Sequence, residues 1–157
     1  MISLAAAITL TNWSKRTLWR RIADGTLTRA DDDVITDENK AKIHLDAIKA
    51  HICVPLALED FDLIKNADTG DAKAQTDLAL IFLSHQKPEN AIYWLELAAK
   101  RDDANAMYLL GRCYTDGNGT PKNEDLGIMW IAKAASHGHL ISQAQMQALC
   151  SGLAGKH

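Results

Sequence analysis

The second half of the chain repeats itself, and this repeat constrains the fold more than any other feature of the sequence. The run Trp94-Leu95-x-x-Ala98-Ala99 returns as Trp130-Ile131-x-x-Ala134-Ala135. An earlier anchor, Ala74, returns as Ala106 and again as Ser142. Periods of roughly 30 to 40 residues are typical of arrays of helical hairpins, whose units bury their apolar faces only by stacking on one another.

Within each unit, apolar residues follow the anchor at a helical spacing. They stand four and eight residues after it, which places them on one stripe of a first helix, the A helix. A loop then reverses the chain (residues 85–88 or 115–121), and a B helix carries the tryptophan and the Ala-Ala pair. The alanines allow the next A helix to approach closely. The stripe residues are Leu78 and Phe82, Leu110 and Tyr114, and Met146 and Cys150.

These units resemble the Sel-one-like repeat, a relative of the tetratricopeptide repeat. The resemblance is close over residues 104–138, through Leu110-Gly111, Tyr114, Gly117-x-Gly119, Trp130, Ala134-Ala135 and Gly138. It is weaker over residues 70–102, where Ala79 and Phe82 replace Gly and Tyr and the Gly-x-Gly loop is absent. Asp102 replaces a usual Gly, and Asp125 a usual Ala. Residues 56–67 are interpreted as a preceding helix and residues 142–149 as a half-repeat cap.

The resemblance implies an α-solenoid of about two repeats that holds a protein partner rather than catalysing a reaction. Exposed positions of the A helices are the candidate protein-binding residues: Lys73, Asp77, Asn105 and Arg112. A short array offers a small groove, suited to a single helix or to a second copy of this chain.

The first half of the chain has a different charge balance. Residues 1–52 carry a net charge of +1 and residues 53–157 a net charge of −4. Between residues 13 and 29, five basic side chains accompany one acid, Asp24. This asymmetry suggests two modules with different partners, although basic side chains on one helix are often only a solvated face.

Local signals in this basic region predict a helix-turn-helix. Ser3 is a suitable N-cap for a helix over residues 4–10, and residues 11–13 break it. Ser14 caps a second helix, in which Leu18 and Ile22 are four apart and face the core. Gly25 ends that helix in the manner of a C′ glycine. Trp13 and Trp19 are interpreted as core or capping residues.

The segment that follows has two interpretations. Residues 26–30 and 34–44 can form the two strands of a wing around the acidic tip 31–33, with a further helix opening at Leu45. Alternatively, one helix capped by Thr36 runs over residues 37–52. Periodicity does not distinguish the two.

The run Ser14-Lys15-Arg16-Thr17-Leu18-Trp19-Arg20-Arg21-Ile22-Ala23-Asp24-Gly25-Thr26-Leu27 resembles the winged helix-turn-helix of the MerR and excisionase families. In those families the second helix enters the DNA major groove and the wing contacts the backbone. The resemblance implies double-stranded DNA as a partner, and basic side chains suit phosphates and guanine edges. The acidic tip does not suit a wing that faces phosphates, so a head that binds protein is the alternative. The implied DNA-binding residues are Lys15, Arg16, Thr17, Arg20, Arg21 and Arg29.

The sequence contains no pattern typical of a membrane span, a disulfide framework, a phosphate-binding loop or a catalytic site. No apolar run is long enough to span a bilayer, and the N-terminus lacks the basic region of a signal peptide. Three cysteines without ligand spacing predict a reducing cytoplasm and no disulfides, with Cys113 and Cys150 as small core residues. Gly117-Asn118-Gly119 is interpreted as a turn between helices rather than a phosphate loop. We expect no metal, no cofactor, no membrane association and no enzymatic activity.

The sequence therefore predicts a mainly α chain with two parts, a small winged helix-turn-helix domain over residues 1–52 and a short α-solenoid of helix–turn–helix repeats over residues 56–150. The predicted function is a cytoplasmic DNA-binding transcription regulator or accessory factor whose repeats mediate protein–protein interaction. The alternative is a non-enzymatic scaffold or adaptor whose head also binds protein. No coiled-coil segment is evident, so a homodimer would have to use the repeats.

Overall fold

The structure, a computed structural model, describes residues 1–28 and 41–155. Over these residues the chain is mainly helical, with one small two-stranded sheet. The chain divides into two compact units, Met1–Thr69 and Gly70–His157.

The first unit contains short helices and the sheet. Strand β1 pairs antiparallel with β2, and Ile2 lies opposite Ile43. Both of these isoleucines are fully buried, together with Leu10, Leu18, Ile48 and Ile64. The elements are β1 (Ile2–Ser3), α1 (Leu4–Thr11), α2 (Lys15–Ala23), β2 (Lys42–Ile43), α3 (Leu45–Ile48), a 3-10 turn (Lys49–His51) and α4 (Asp60–Thr69).

The predicted ends of α1 and α2 are confirmed by their caps. The Ser3 hydroxyl accepts a hydrogen bond from the Ala6 N–H, and the Ser14 hydroxyl accepts one from the Thr17 N–H. Asn12 ends α1 in the left-handed conformation, with φ of 57°. Gly25 has φ of 76° and follows the last residues of α2, as a C′ glycine does. Leu18 is buried, and Ile22 is half-buried.

The wing prediction is not confirmed. Residues 26–28 form no strand, and β2 pairs with β1 instead of with that segment. Residues 29–40, which hold the acidic tip, the end of the first predicted strand and most of the second, lie outside the described residues. The alternative of one helix over residues 37–52 is wrong over 41–44, because Lys42 and Ile43 are extended and paired there. A helix opening at Leu45, as the wing interpretation requires, is observed.

The helix expected over residues 56–67 begins later, at Asp60, and belongs to the first unit. The Asp60 carboxylate accepts a hydrogen bond from the Ala57 N–H at 2.6 Å, which fixes a turn ahead of the helix. Near the other end of α4, Asp68 accepts from both the backbone N–H and the hydroxyl of Ser3. Helix α4 is thereby tied to β1 and to the cap of α1.

The second unit contains the repeats. Each helix packs against the next one in the chain, as stacked hairpins require. The A helices are α5 (Ala72–Ser84), α7 (Ala104–Asp116) and α9 (Leu140–Ala154), and the B helices are α6 (Pro88–Ala99) and α8 (Glu124–Ser136). Pro88, expected in the loop, is the first residue of α6, where its missing N–H costs nothing.

The stripe residues are more deeply buried in the first two A helices than in the third. Leu78, Phe82 and Leu110 are fully buried, and Tyr114 is half-buried. In α9 only Ser142 is buried, while Met146 is half-buried and Cys150 is exposed. The core prediction is therefore correct for Cys113, which is buried, and wrong for Cys150. Among the described residues α9 packs chiefly against α8, and the side of α9 that carries Cys150 stays exposed.

Helices α7 and α8 cross where both carry glycine. A Cβ on Gly111 would lie 2.8 Å from the carbonyl oxygen of Gly127, and a Cβ on Gly127 would lie 2.8 Å from that of Gly111. Neither glycine has room for a side chain, so the two backbones approach more closely than larger residues allow. In the first repeat the corresponding small residues are Ala79 and Ala91, both fully buried.

Candidate functional site

The A helices present one face to solvent, and the predicted protein-binding residues lie on it. Positions one repeat period apart are equivalent in α5 and α7, as the anchors Ala74 and Ala106 are. Within each helix the outward positions follow the i, i+4, i+7 pattern of one helical face. We call this surface the A-helix face; it consists of Lys73, Asp77 and Leu80 on α5 and Asn105, Leu109 and Arg112 on α7.

Surface ion pairs orient the charged members of the A-helix face. Lys73 Nζ lies 3.7 Å from Asp77 Oδ2. Arg112 donates to Asp116 Oδ2 at 3.2 Å and to the Tyr108 hydroxyl at 3.3 Å, and these bonds raise the pKa of Arg112. Exposed ion pairs of this kind contribute little to the stability of the fold. Breaking them to bind a partner would therefore cost little free energy.

Sequence reasoning placed only four of these six positions. Leu80 and Leu109 were missed because the repeats were compared at their stripe residues and not at the outward positions between them. The signal was present, since Leu80 lies one repeat period before Arg112 and Leu109 lies one repeat period after Asp77. The A-helix face therefore carries both charged and apolar side chains on each of its two helices.

Two cavities border α7 at its opposite ends. A cavity of about 390 Å³ lies among Ala104, Asn105 and residues 137–141. A larger cavity of about 470 Å³ lies between the last turns of α7 and the middle turns of α8 and α9, with Arg112 and Thr115 on its α7 side. Asn105 and Arg112 thus line different cavities, whereas Lys73 and Asp77 line neither of these two.

An aromatic contact joins α7 to α9 beside the A-helix face. The rings of Tyr108 and His139 stack with centroids 4.4 Å apart and planes inclined by 24°. His139 also begins α9, because its Nδ1 accepts a hydrogen bond from the Ser142 N–H at 3.2 Å. The equivalent caps of α5 and α7 are the carboxylates of Asp71 and Asp103.

Helix α2 carries the second predicted site. Lys15, Arg16 and Arg20 are exposed, and Arg16 and Arg20 are four residues apart on one side of the helix. Thr17 is half-buried and bonded to the capping Ser14, so it serves the helix end. The remaining predicted contact on α2, Arg21, is half-buried, with its guanidinium carbon 4.2 Å from the ring centroid of Trp13. Arg29 lies outside the described residues.

An acid offsets part of this positive charge. The pKa of Asp24 is lowered, chiefly by hydrogen bonds from the hydroxyl and backbone N–H of Thr26, with Arg20 and Arg21 adding attraction. Asp24 therefore stays ionised next to Arg20 and Arg21. Of the predicted DNA contacts on α2, Lys15, Arg16 and Arg20 are exposed, and Thr17 and Arg21 make contacts within the first unit.

Burial raises the pKa of the Cys113 thiol to about 11, and the negative charge of Asp116 adds to the effect. A thiol in such surroundings is a packing residue rather than a nucleophile. Residues 1–28 and 41–155 contain no cluster of three His, Cys, Asp or Glu side chains that could hold a metal ion. In the same part of the chain, no helix is both long and apolar enough to cross a bilayer.

Comparison with known proteins identifies the repeats. Residues 72–103 and 104–139 match the family model of the Sel1 repeat. DAP3-binding cell death enhancer 1 from Mus musculus is 29% identical over 85 residues, which are 53% of this chain and 17% of that protein. The crystal structure of a Sel1 repeat protein from Oxalobacter formigenes has a TM-score of 0.51 and 27% identity, covering 55% of this chain and 26% of its own.

These matches confirm the two Sel1 repeats predicted from the sequence, and such repeats indicate protein–protein interaction. The chain spans about a sixth of the mouse relative and about a quarter of the bacterial one. The resemblance of the first unit to a winged helix-turn-helix is not confirmed by them.

Proposed function

We propose that the two Sel1 repeats bind a protein partner through the A-helix face. The observation that carries this proposal is the matched set of outward positions on α5 and α7: the exposed Lys73 shares its side of α5 with the exposed Leu80, and the exposed Arg112 shares its side of α7 with the half-buried Leu109. Accessible apolar side chains flanked by charged ones are common where proteins bind one another. The mouse relative is itself named for binding another protein, DAP3, which accords with a binding role for the shared repeats.

The test is quantitative capture of partners in cells that produce the chain natively. A double variant, Lys73→Glu with Leu80→Glu, changes the face on α5 at two exposed positions. Met129→Glu is the matched control, since Met129 is 49% exposed on a B helix and Leu80 is 44% exposed on an A helix.

We expect the double variant to retain a specific partner at least about tenfold less well than the wild type, because a few central residues carry most of an interface's free energy. The Met129→Glu control retains the partner. Equal loss in both variants, or in neither, contradicts the assignment of binding to the A-helix face.

A second candidate function is duplex DNA binding by α2 within a winged helix-turn-helix head over residues 1–52. One observation favours it: Arg16 and Arg20 are exposed on the same side of a helix whose two ends are capped. Guanidinium groups so placed suit phosphate contacts, with affinity that falls steeply as salt rises. In this proposal the chain is a transcription regulator or accessory factor whose repeats recruit its partner.

Titration of labelled duplex DNA at two salt concentrations tests this second function. Micromolar or tighter binding that weakens with salt is expected, and Arg20→Ala should reduce the salt slope by about 1. Lys100→Ala, at an exposed position of the second unit, is the control. Absence of binding even at low salt rejects the DNA function and favours the adaptor, in which the head binds protein.

A further inference from the structure

Three helices of the second unit surround a cavity of about 470 Å³. It lies between the last turns of α7 and the middle turns of α8 and α9, and its size is typical of cavities that hold a ligand. Its apolar wall is formed by Ile128 and Ile131 of α8 and by Met146, Ala148 and Leu149 of α9. Ala148 and Leu149 are exposed, so the cavity is open to solvent at α9.

Three polar residues complete the wall, and each stands where the preceding repeat has a leucine. Equivalent positions are counted from the anchor of each A helix. The equivalent pairs are Leu80 and Arg112, Leu83 and Thr115, and Leu109 and Gln145. Leucines at all three positions would bury more apolar surface at this junction and stabilise it. The polar residues therefore indicate a cavity that binds a ligand rather than one that only packs.

Gln145 supplies an acceptor without a donor. Its Oε1 is buried and, among residues 1–28 and 41–155, accepts no hydrogen bond. A buried acceptor in this state costs free energy that a leucine, the residue of the preceding repeat, would not incur. A ligand whose donor reaches Gln145 removes that cost.

Arg112 gives the cavity a positive edge. It is the charged residue among the described residues that line the cavity, and its side chain is 49% exposed. Its guanidinium donates to Asp116 and to Tyr108, and it carries further N–H donors. A ligand carboxylate can therefore bind Arg112 beside Asp116 or in its place, because exposed ion pairs of this kind are weak.

We propose that the cavity receives a tryptophan side chain from a helix of the protein partner. The ring fills the apolar cavity, its indole N–H donates to Gln145 Oε1, and a carboxylate one turn along the same helix binds Arg112. Tryptophan combines a large apolar surface with a donor and no acceptor, which matches this wall. Residues four apart share one side of a helix, so a single segment presents both groups. This inference rests on the proposed function, because Arg112 also belongs to the A-helix face.

Model peptides test this partner chemistry on the full chain. The probe is an alanine-based helix with Trp and Glu four residues apart, and the control peptides have Phe for Trp or Lys for Glu. Methyl NMR should show saturable shifts of Ile131, Met146 and Leu149 with the Trp–Glu peptide. We expect the Phe peptide to bind about fivefold more weakly, because it lacks the hydrogen bond, and the Lys peptide about tenfold more weakly, because Arg112 repels it.

Gln145→Leu restores the leucine of the preceding repeat and should leave the fold intact, which circular dichroism checks. In this variant the Trp and Phe peptides should bind within about twofold of each other, because neither finds an acceptor. Gln145→Met, which keeps the length of the side chain, is a second variant with the same expectation. Met129→Ala, at an exposed position of α8 outside the cavity, is the matched control and should keep the difference found in the wild type.

Absence of methyl shifts with every peptide overturns the inference, and so does a Trp–Phe difference that survives in both Gln145 variants. Equal affinity of 3-indolepropionate, which carries the same two groups without a helix, would make the cavity a small-molecule site and reject the partner helix. Shifts confined to α5 would likewise reject the cavity while the A-helix face on α5 stands. Partner capture that the α5 double variant retains, with the cavity shifts as expected, rejects the A-helix face on α5 and leaves this inference in place.

Discussion

At the scale of single residues, the repeats depend on small side chains at one crossing. Gly127 in α8 has no space for a methyl group, because a Cβ there would lie 2.4 Å from Thr115 Cγ2 and 2.9 Å from its backbone nitrogen. Gly127→Ala should therefore destabilise the second unit by about 1–3 kcal/mol, the usual cost of overpacking. Hydrogen exchange of the α7 and α8 amides measures this locally.

Gly152 in α9 is the control for this substitution. A Cβ there meets nothing within 4 Å, so Gly152→Ala should stabilise its helix by about 0.5–1 kcal/mol. If Gly127→Ala proves neutral or stabilising, the close α7–α8 crossing is not a requirement of the fold.

The cap of α9 allows a second prediction. His139→Ala removes the ring nitrogen that accepts the Ser142 N–H, and it should destabilise the start of α9 by about 1 kcal/mol. His139→Asp should retain most of that stability, because Asp71 and Asp103 cap the two preceding A helices in the same way. Exchange rates of the first α9 amides report the effect. Equal protection in wild type and His139→Ala would rule out the capping role.

Cysteine reactivity should follow burial. With a pKa of about 11, only about one Cys113 thiol in a thousand is ionised at pH 8, and the thiol is also shielded from reagents. Cys150 is exposed on α9. We therefore expect iodoacetamide to modify Cys150 in the native protein and Cys113 only after unfolding in urea, as read by peptide mass spectrometry. Modification of both at similar rates in the native state would mean that the packing around Cys113 is wrong.

At the scale of elements, the helices with strong local signals were predictable and the elements formed by distant residues were not. Helices α1 and α2 follow from Ser3, Ser14 and Gly25, and the repeat helices follow from the recurring tryptophans and Ala-Ala pairs. The β1–β2 pair could not be inferred from the sequence, because each strand is very short and its partner lies far along the chain, with Ile2 opposite Ile43. Local periodicity carries no information about such pairing.

The candidate binding surfaces, like the elements, could be predicted only where a local or repeated pattern marks them. The A-helix face could be assigned in part, since the repeat period relates its positions to one another. The exposure of Cys150 could not be predicted from the sequence, because Cys150 shares its stripe position with Phe82 and Tyr114 of the other two A helices. The contacts of Thr17 with Ser14 and of Arg21 with Trp13 could not be predicted either. The net charge of a segment shows which side chains are basic, but it does not show which of them bind within the protein.

The tie between α4 and β1 gives a prediction at this scale. Asp68 accepts from the Ser3 N–H at 2.8 Å and from its hydroxyl, which at the same time caps α1. Asp68→Ala leaves two partly buried donors without their acceptor and should destabilise the first unit by about 1–3 kcal/mol. Faster hydrogen exchange in residues 2–11, with α5 to α8 unchanged, is the expected result. Unchanged exchange in β1 and α1 would show that this contact is dispensable.

At the scale of the whole molecule, the chain has two compact units with different surface chemistry. The first presents Arg16 and Arg20, and the second presents the A-helix face. Two Sel1 repeats form a short array, which suits a short partner segment such as a single helix.

Site-specific photo-crosslinking tests the central claim, partner binding by the A-helix face, most directly. A photoreactive amino acid replaces Leu80 on α5 in one variant and Met129 on α8 in another, and cells that produce the chain natively are irradiated. We predict that the Leu80 position forms a defined adduct with a different protein and that the Met129 position does not. Adducts at Met129 but not at Leu80, or none at either position, would contradict the account.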